Sequence, residues 1–129
     1  MSIAIELTPT LPEPGAARPV DAVGVGVFAD RLDDGVDRAF LEAQQFEGKP
    51  GQTCTVPGPD GRAVVLLGLG PAEEVEVRTY RRAAAAFARA AHKQTHLAID
   101  VLGSLPDRLD AAEVARALAE GVMLGSYRY

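Results

Sequence analysis

Tryptophan is absent from the 129 residues, cysteine occurs once, and aromatic side chains make up only 5% of the chain. A core drawn from such a sequence rests on Val, Leu, Ile and Ala, and alanine contributes little buried area per residue. The lone Cys54 excludes an internal disulfide and cannot by itself complete a zinc site. Without a disulfide framework, the chain fits a reducing compartment. Long apolar runs are missing too. The longest, Ala63 to Pro71, has nine residues and includes two glycines, where a membrane helix needs about 20 residues. No apolar segment follows the start, and the first positive side chain is Arg18, so a secretory leader is not expected. Positive charge is also scarce: Lys+Arg is 13 against 18 Asp+Glu, a formal net charge of -5. That balance argues against a dedicated nucleic-acid binder, which concentrates basic surface. What remains is the expectation of a soluble, cytoplasmic domain with no membrane partner.

Hydrophobic residues at 47% and charged residues at 24% are ordinary globular usage. The length suits one domain over residues 1–129, able to bury roughly two thirds of its unfolded surface. Ile3 to Leu7 reads as a short strand, and Thr8 to Pro19, with four prolines, as a connector. Val20 to Phe28 is a near-continuous apolar strand suited to cover on both faces. Its Gly24 and Gly26, two apart, open one face to a neighbouring element. A first helix is expected from about Asp34 to Gln44, capped by Asp33 or Asp34, with Val36, Phe40 and Ala43 toward the sheet. Thr53 to Val56 and Arg62 to Leu67 form a hairpin about Pro57-Gly58-Pro59-Asp60-Gly61. Its second strand is central and stops at Gly68. A second helix, Val77 to Gln94, buries Tyr80, Ala83, Phe87 and Ala90 and points Arg78, Arg82, Arg89 and Lys93 outward. Leu97 to Leu102 is a strand. A third helix follows from Asp110, with capping-box spacing to Glu113 and an apolar face of Val114, Ala117, Leu118, Gly121 and Val122. The fold class is α/β, a mixed central β-sheet flanked by helices.

Candidate chemistry is thin. His92 and His96 lie four apart, but two ligands are too few for a metal site and solvated helix-end histidines are the plainer reading. Cys54, in a strand, reads as a small buried hydrophobe. Gly68-Leu69-Gly70, after a strand and before a helix, invites a reading as an anion loop. A third glycine and a Lys-Ser/Thr pair are missing, and Glu73, Glu74 and Glu76 would repel phosphate. The arginine row reads as a solvated face rather than a phosphate stripe. Ser2, Ser104 and Ser126 have no nucleophile context. No catalytic, cofactor or metal residue is expected in this chain.

Three segments carry a family likeness: Phe46 to Thr53 (Phe-Glu-Gly-Lys-Pro-Gly-Gln-Thr), Val65 to Gly70, and Ala119 to Tyr129. In order and spacing they resemble the N-terminal domain of the leucyl, or cytosol, aminopeptidases, as does Arg81 to Ala86. The resemblance implies a macro-domain-like three-layer sandwich. It implies a cytoplasmic, homo-hexameric exopeptidase parent that binds two divalent metals, zinc, manganese or magnesium, in a C-terminal catalytic domain. The family's Asn-Thr-Asp-Ala-Glu-Gly-Arg metal segment is absent here, so no catalytic or metal role carries over. Two aromatics in the last three residues suggest packing against a further domain, with residues from about 122 to 129 leading into the catalytic one. The isolated domain is therefore expected to be inert and architectural. The alternative is a macro-like module holding a nucleotide or ADP-ribose at the loop after Leu67.

Overall fold

The computed structural model describes residues 22–31, 38–58, 62–91, 97–101 and 105–126. Their elements are β1 (Ala22–Phe28), α1 (Arg38–Ala43), β2 (Thr53–Pro57), β3 (Ala63–Gly70), α2 (Val77–Ala90), β4 (Leu97–Asp100) and α3 (Ala111–Ser126). The expected strand at Ile3 to Leu7 and the caps at Asp33 or Asp34 lie outside the described residues.

The sheet has the order β2-β3-β1-β4. β1 runs parallel to β3 and β4, while β2 is antiparallel to β3, so the sheet is mixed as its sequence pattern implies. Alternation along the strands sorts the side chains into two cores. Val65, Leu67 and Leu69 meet α2 and α3 on one face. Leu66 and Val27 meet Leu41, Phe46 and Cys54 on the other. Helices thus cover both faces, giving three layers. Gly24 and Gly26 face the larger core, where an added methyl would lie 3.0 Å from Leu67 and Phe87 or 2.8 Å from Leu69. The strand glycines make room for those side chains, as their spacing suggests.

Four expectations need correction. First, β3 does not stop at Gly68 but continues to Gly70, because the loop after α1 supplies carbonyl partners for its last amides. Second, α1 buries Leu41, whereas Ala43 is exposed. The helix ends in a Schellman motif, with Phe46 N–H donating to Leu41 O at 2.9 Å and Gln45 N–H to Glu42 O at 3.1 Å. Gln45 takes the left-handed position at φ 59°, and the closure turns Phe46 in beside Leu41. Third, α2 ends at Ala90 instead of Gln94, and Ala90 is exposed. Every residue from Ala83 to Ala88 is buried instead, a wider face than one stripe. The reason is a second partner: α2 packs on the sheet and, more extensively, along α3. Fourth, β4 ends at Asp100, short of Leu102.

The buried face of α3 is Val114, Ala117, Leu118, Gly121 and Val122, the residues its periodicity marks. Asp110 caps it, its Oδ1 accepting from Ala112 N–H at 3.1 Å. Gly121 and Gly125 sit against the carbonyls of Arg81 and Ala85, where a β-carbon would collide with backbone. The two helix backbones therefore lie as close as their carbonyls allow.

Candidate functional site

The loop after β3 is the first place the sequence directs attention. Gly68 N–H donates to Gln52 O at 2.9 Å and Gly70 N–H to Gly48 O at 2.8 Å. The space that a Gly68 side chain would take is held by the carbonyl of Lys49. These glycines admit a second backbone strand; their amides are already used, and no anion can take them without breaking the loop away. The partner loop is itself braced, since Gln52 Oε1 accepts from Glu47 N–H at 3.0 Å and Lys49 N–H at 3.1 Å.

β1 and β3 are parallel neighbours whose onward connections leave on opposite faces, the position where open α/β sheets commonly hold ligands. Here that position is closed by the chain's own side chains. Asp30 Oδ1 accepts from Ala72 N–H at 3.2 Å. Arg108 donates to Ala72 O at 3.0 Å and to Val75 O at 2.8 Å. With Glu73 and Glu74 exposed beside it, the region repels phosphate, and the nucleotide or ADP-ribose reading finds no support in this geometry.

The remaining candidates are equally spent. Cys54 is buried, and that burial raises its thiol pKa, which keeps the nucleophilic thiolate scarce. Ser126 Oγ donates back to Val122 O at 2.7 Å. His92, His96, Ser2, Ser104 and Lys93 lie outside the described residues. Among the described residues, no group of three or more His, Cys, Asp or Glu side chains converges as a metal site would require, and no helix is long and apolar enough to cross a membrane.

What the structure does assemble is a cleft of about 620 Å³ between the start of α2 and the end of α3. Arg78, Arg81 and Arg82 line it with Leu124 and Pro50. Arg78 Nε meets Glu76 at 2.8 Å and Arg81 Nε meets Glu120 at 3.0 Å. Beside it, Met123 and Leu124 stand 67% and 64% exposed, the large apolar side chains left in water among the described residues. The expected row of Arg78, Arg82 and Arg89 is exposed, but sequence spacing missed Arg81, because its place in the cleft depends on α3.

Comparison with known proteins bears on this arrangement. A profile of the cytosol aminopeptidase family's N-terminal domain matches residues 25–129. A probable cytosol aminopeptidase of Nostoc punctiforme is 32% identical over 123 residues, covering 84% of this chain and 25% of its own length. One from Synechococcus is 38% identical over 91 residues, covering 68% of this chain and 18% of its own length. Among solved structures, the bottromycin maturation enzyme BotP, in complex with Mn, superposes with a TM-score of 0.72 at 38% identity, over 86% of this chain and 24% of that one. A mutant tomato leucine aminopeptidase gives the same TM-score at 24% identity, over 98% of this chain and 28% of its own, a likeness of fold. The chain spans about a quarter of the length of the curated relatives it matches.

Proposed function

The chain belongs to the N-terminal domain family of the cytosol aminopeptidases, and from that membership we propose that it is the non-catalytic N-terminal domain of a metal-dependent leucyl-type aminopeptidase. The observation that carries the reading is the match of an N-terminal domain profile to residues 25–129, in relatives about four times as long. In this reading the parent is a cytoplasmic exopeptidase that releases N-terminal residues from peptides. Its divalent metals, manganese or zinc, would polarise the scissile carbonyl and activate water. The described residues of this chain do not fit such a centre, since they bring no ligand cluster together. The metals belong to the catalytic domain of the parent, and this one contributes no step to the reaction.

Its role is architectural. Residues from about 122 to 129 lead into the catalytic domain, and the exposed Met123 and Leu124 at the end of α3 would be covered by it or by a neighbouring subunit of a homo-hexamer. Apolar side chains at such a junction gain burial only on assembly. The test is leucine-anilide hydrolysis by the purified 129-residue chain with manganese or zinc added. The expected rate equals that of a mock preparation, and metal-dependent turnover would falsify the non-catalytic assignment.

A further inference from the structure

The last turn of α3 differs from the rest of the helix on the side that faces away from α2. Glu113, Arg116, Glu120 and Met123 succeed one another along that side at spacings of three and four, and all are exposed. The line is charged at its first three positions and apolar at its fourth. At about 100° per residue, Met123 stands nearly opposite Gly121, which is seated on the α2 backbone. Leu124 lies on the flank between them. From Gly121 to Leu124 the helix is therefore uncharged all round, the pattern of a helix enclosed by protein on every side. α2 supplies only one of those sides.

On the reading of this chain as the N-terminal domain of a longer aminopeptidase, we infer that the catalytic domain of the same polypeptide, rather than a neighbouring subunit, encloses the last turn of α3. Its footprint stops at the Arg81–Glu120 ion pair. The match covers 25% of the Nostoc punctiforme relative, and α3 is the last element of the described residues. In that reading the catalytic domain issues from the very turn that needs cover. A surface tethered a few residues from its partner meets it at an effective concentration on the order of millimolar; a neighbouring subunit has no such tether. Met123 and Leu124 also stand on different sides of one turn, so their cover has to wrap the helix end. A domain that continues from that end does so without a second binding event. Charge draws the boundary. Arg81 and Glu120 pair at 3.0 Å with their side chains 39% and 47% exposed. Such a pair belongs at the wet rim of an interface, because enclosing it costs desolvation that its attraction does not offset. On the flank, the recess of about 620 Å³ beside Leu124 and Pro50 leaves room for side chains of the covering domain.

Two measurements on the full-length parent test this. In the first, Met123→Cys, Leu124→Cys and, as the control upstream on the same line, Arg116→Cys are labelled with a maleimide and read site by site from peptide masses. The native Cys54 is buried. Met123→Cys and Leu124→Cys should react readily in the 129-residue chain and lose that reactivity in the parent, while Arg116→Cys reacts equally in both. In the second, a photoreactive diazirine residue at position 124 of the parent identifies the cover. The expected crosslink has the mass of a single polypeptide on a denaturing gel and joins position 124 to a peptide beyond Tyr129. Three outcomes overturn the inference: Met123→Cys and Leu124→Cys reacting as fast in the parent as in the 129-residue chain, Arg116→Cys protected along with them, or a crosslinked product with the mass of two polypeptides. Failure of the aminopeptidase reading looks different. A parent without metal-dependent leucine-anilide hydrolysis removes that reading and leaves the labelling and crosslinking results standing.

Discussion

Tyr80 shows what a single side chain reveals that periodicity cannot. Its place on the inner face of α2 is legible from spacing, but its hydroxyl is buried with no hydrogen-bond partner among the described residues, a matter of three-dimensional surroundings. Burial raises its pKa, and the nearby positive charge of Arg108 opposes this. A phenol whose folded pKa is raised contributes stability that is fully present below its unfolded value of about 10 and lost as pH climbs through the folded value. Tyr80→Phe should therefore leave stability at neutral pH unchanged or raise it by up to about 1 kcal/mol, since an unpaired buried hydroxyl is costly. Denaturant midpoints measured across the alkaline range should fall less steeply for the variant. A steeper fall would show that the folded pKa is lowered instead, and a loss of stability at neutral pH would show that the hydroxyl is satisfied. Gln45 is the counterpart that no sequence signal flags. Glutamine gives no hint of φ 59°, a conformation that costs a side-chain-bearing residue about 1–2 kcal/mol. Gln45→Gly should stabilise by about 1 kcal/mol, read as a shift in denaturant midpoint with unchanged slope.

Among the elements, the helices divide sharply in how far sequence describes them. The face of α3 follows from its own apolar spacing, because it is covered from one side. α2 is covered from two, and its run of alanines looks alike all round, so only the arrival of α3 decides that Ala84 to Ala86 are interior. The α2–α3 contact is also where opposing effects can be weighed. Replacing a helical glycine by alanine gains about 1 kcal/mol of helix propensity at an open site. At Gly121, a β-carbon would strike the Arg81 carbonyl, and overpacking of this kind costs about 1–3 kcal/mol or more. Gly121→Ala should be net destabilising in thermal melts, and Gly125→Ala likewise; a gain in Tm for either would mean that the helices part easily. β3 went further than its glycines implied for a similar reason. Its extension is written in the Gly48 and Gln52 carbonyls, some twenty residues earlier in the chain.

For the whole molecule, the mixed sheet and its flanking helices were legible because each strand and helix carries its own pattern, whereas the strand order β2-β3-β1-β4 rests on pairings between distant segments. The cleft was not legible either, since Pro50, Arg82 and Leu124 come from three separated segments. The family likeness rests on segments that prove to hold neighbouring elements together. Gly48 to Gln52 lock the end of β3, and Gly121 with Gly125 lock α3 to α2. Met123 and Leu124 lie outside that framework. A double change to aspartate, Met123→Asp with Leu124→Asp, should alter the stability of this chain by no more than about 0.5 kcal/mol. In a longer protein that continues past α3, the same change should weaken the junction and lower its melting temperature. The glycine seat has a mechanical meaning as well. With the Arg81 and Ala85 carbonyls of α2 seated against Gly121 and Gly125, α3 cannot slide on α2 without bringing a larger residue against that backbone. A pull applied to the polypeptide beyond Ser126 would be borne by α2 and passed into β3, so the chain's exit behaves as a stiff strut and the domain it leaves as an anchor.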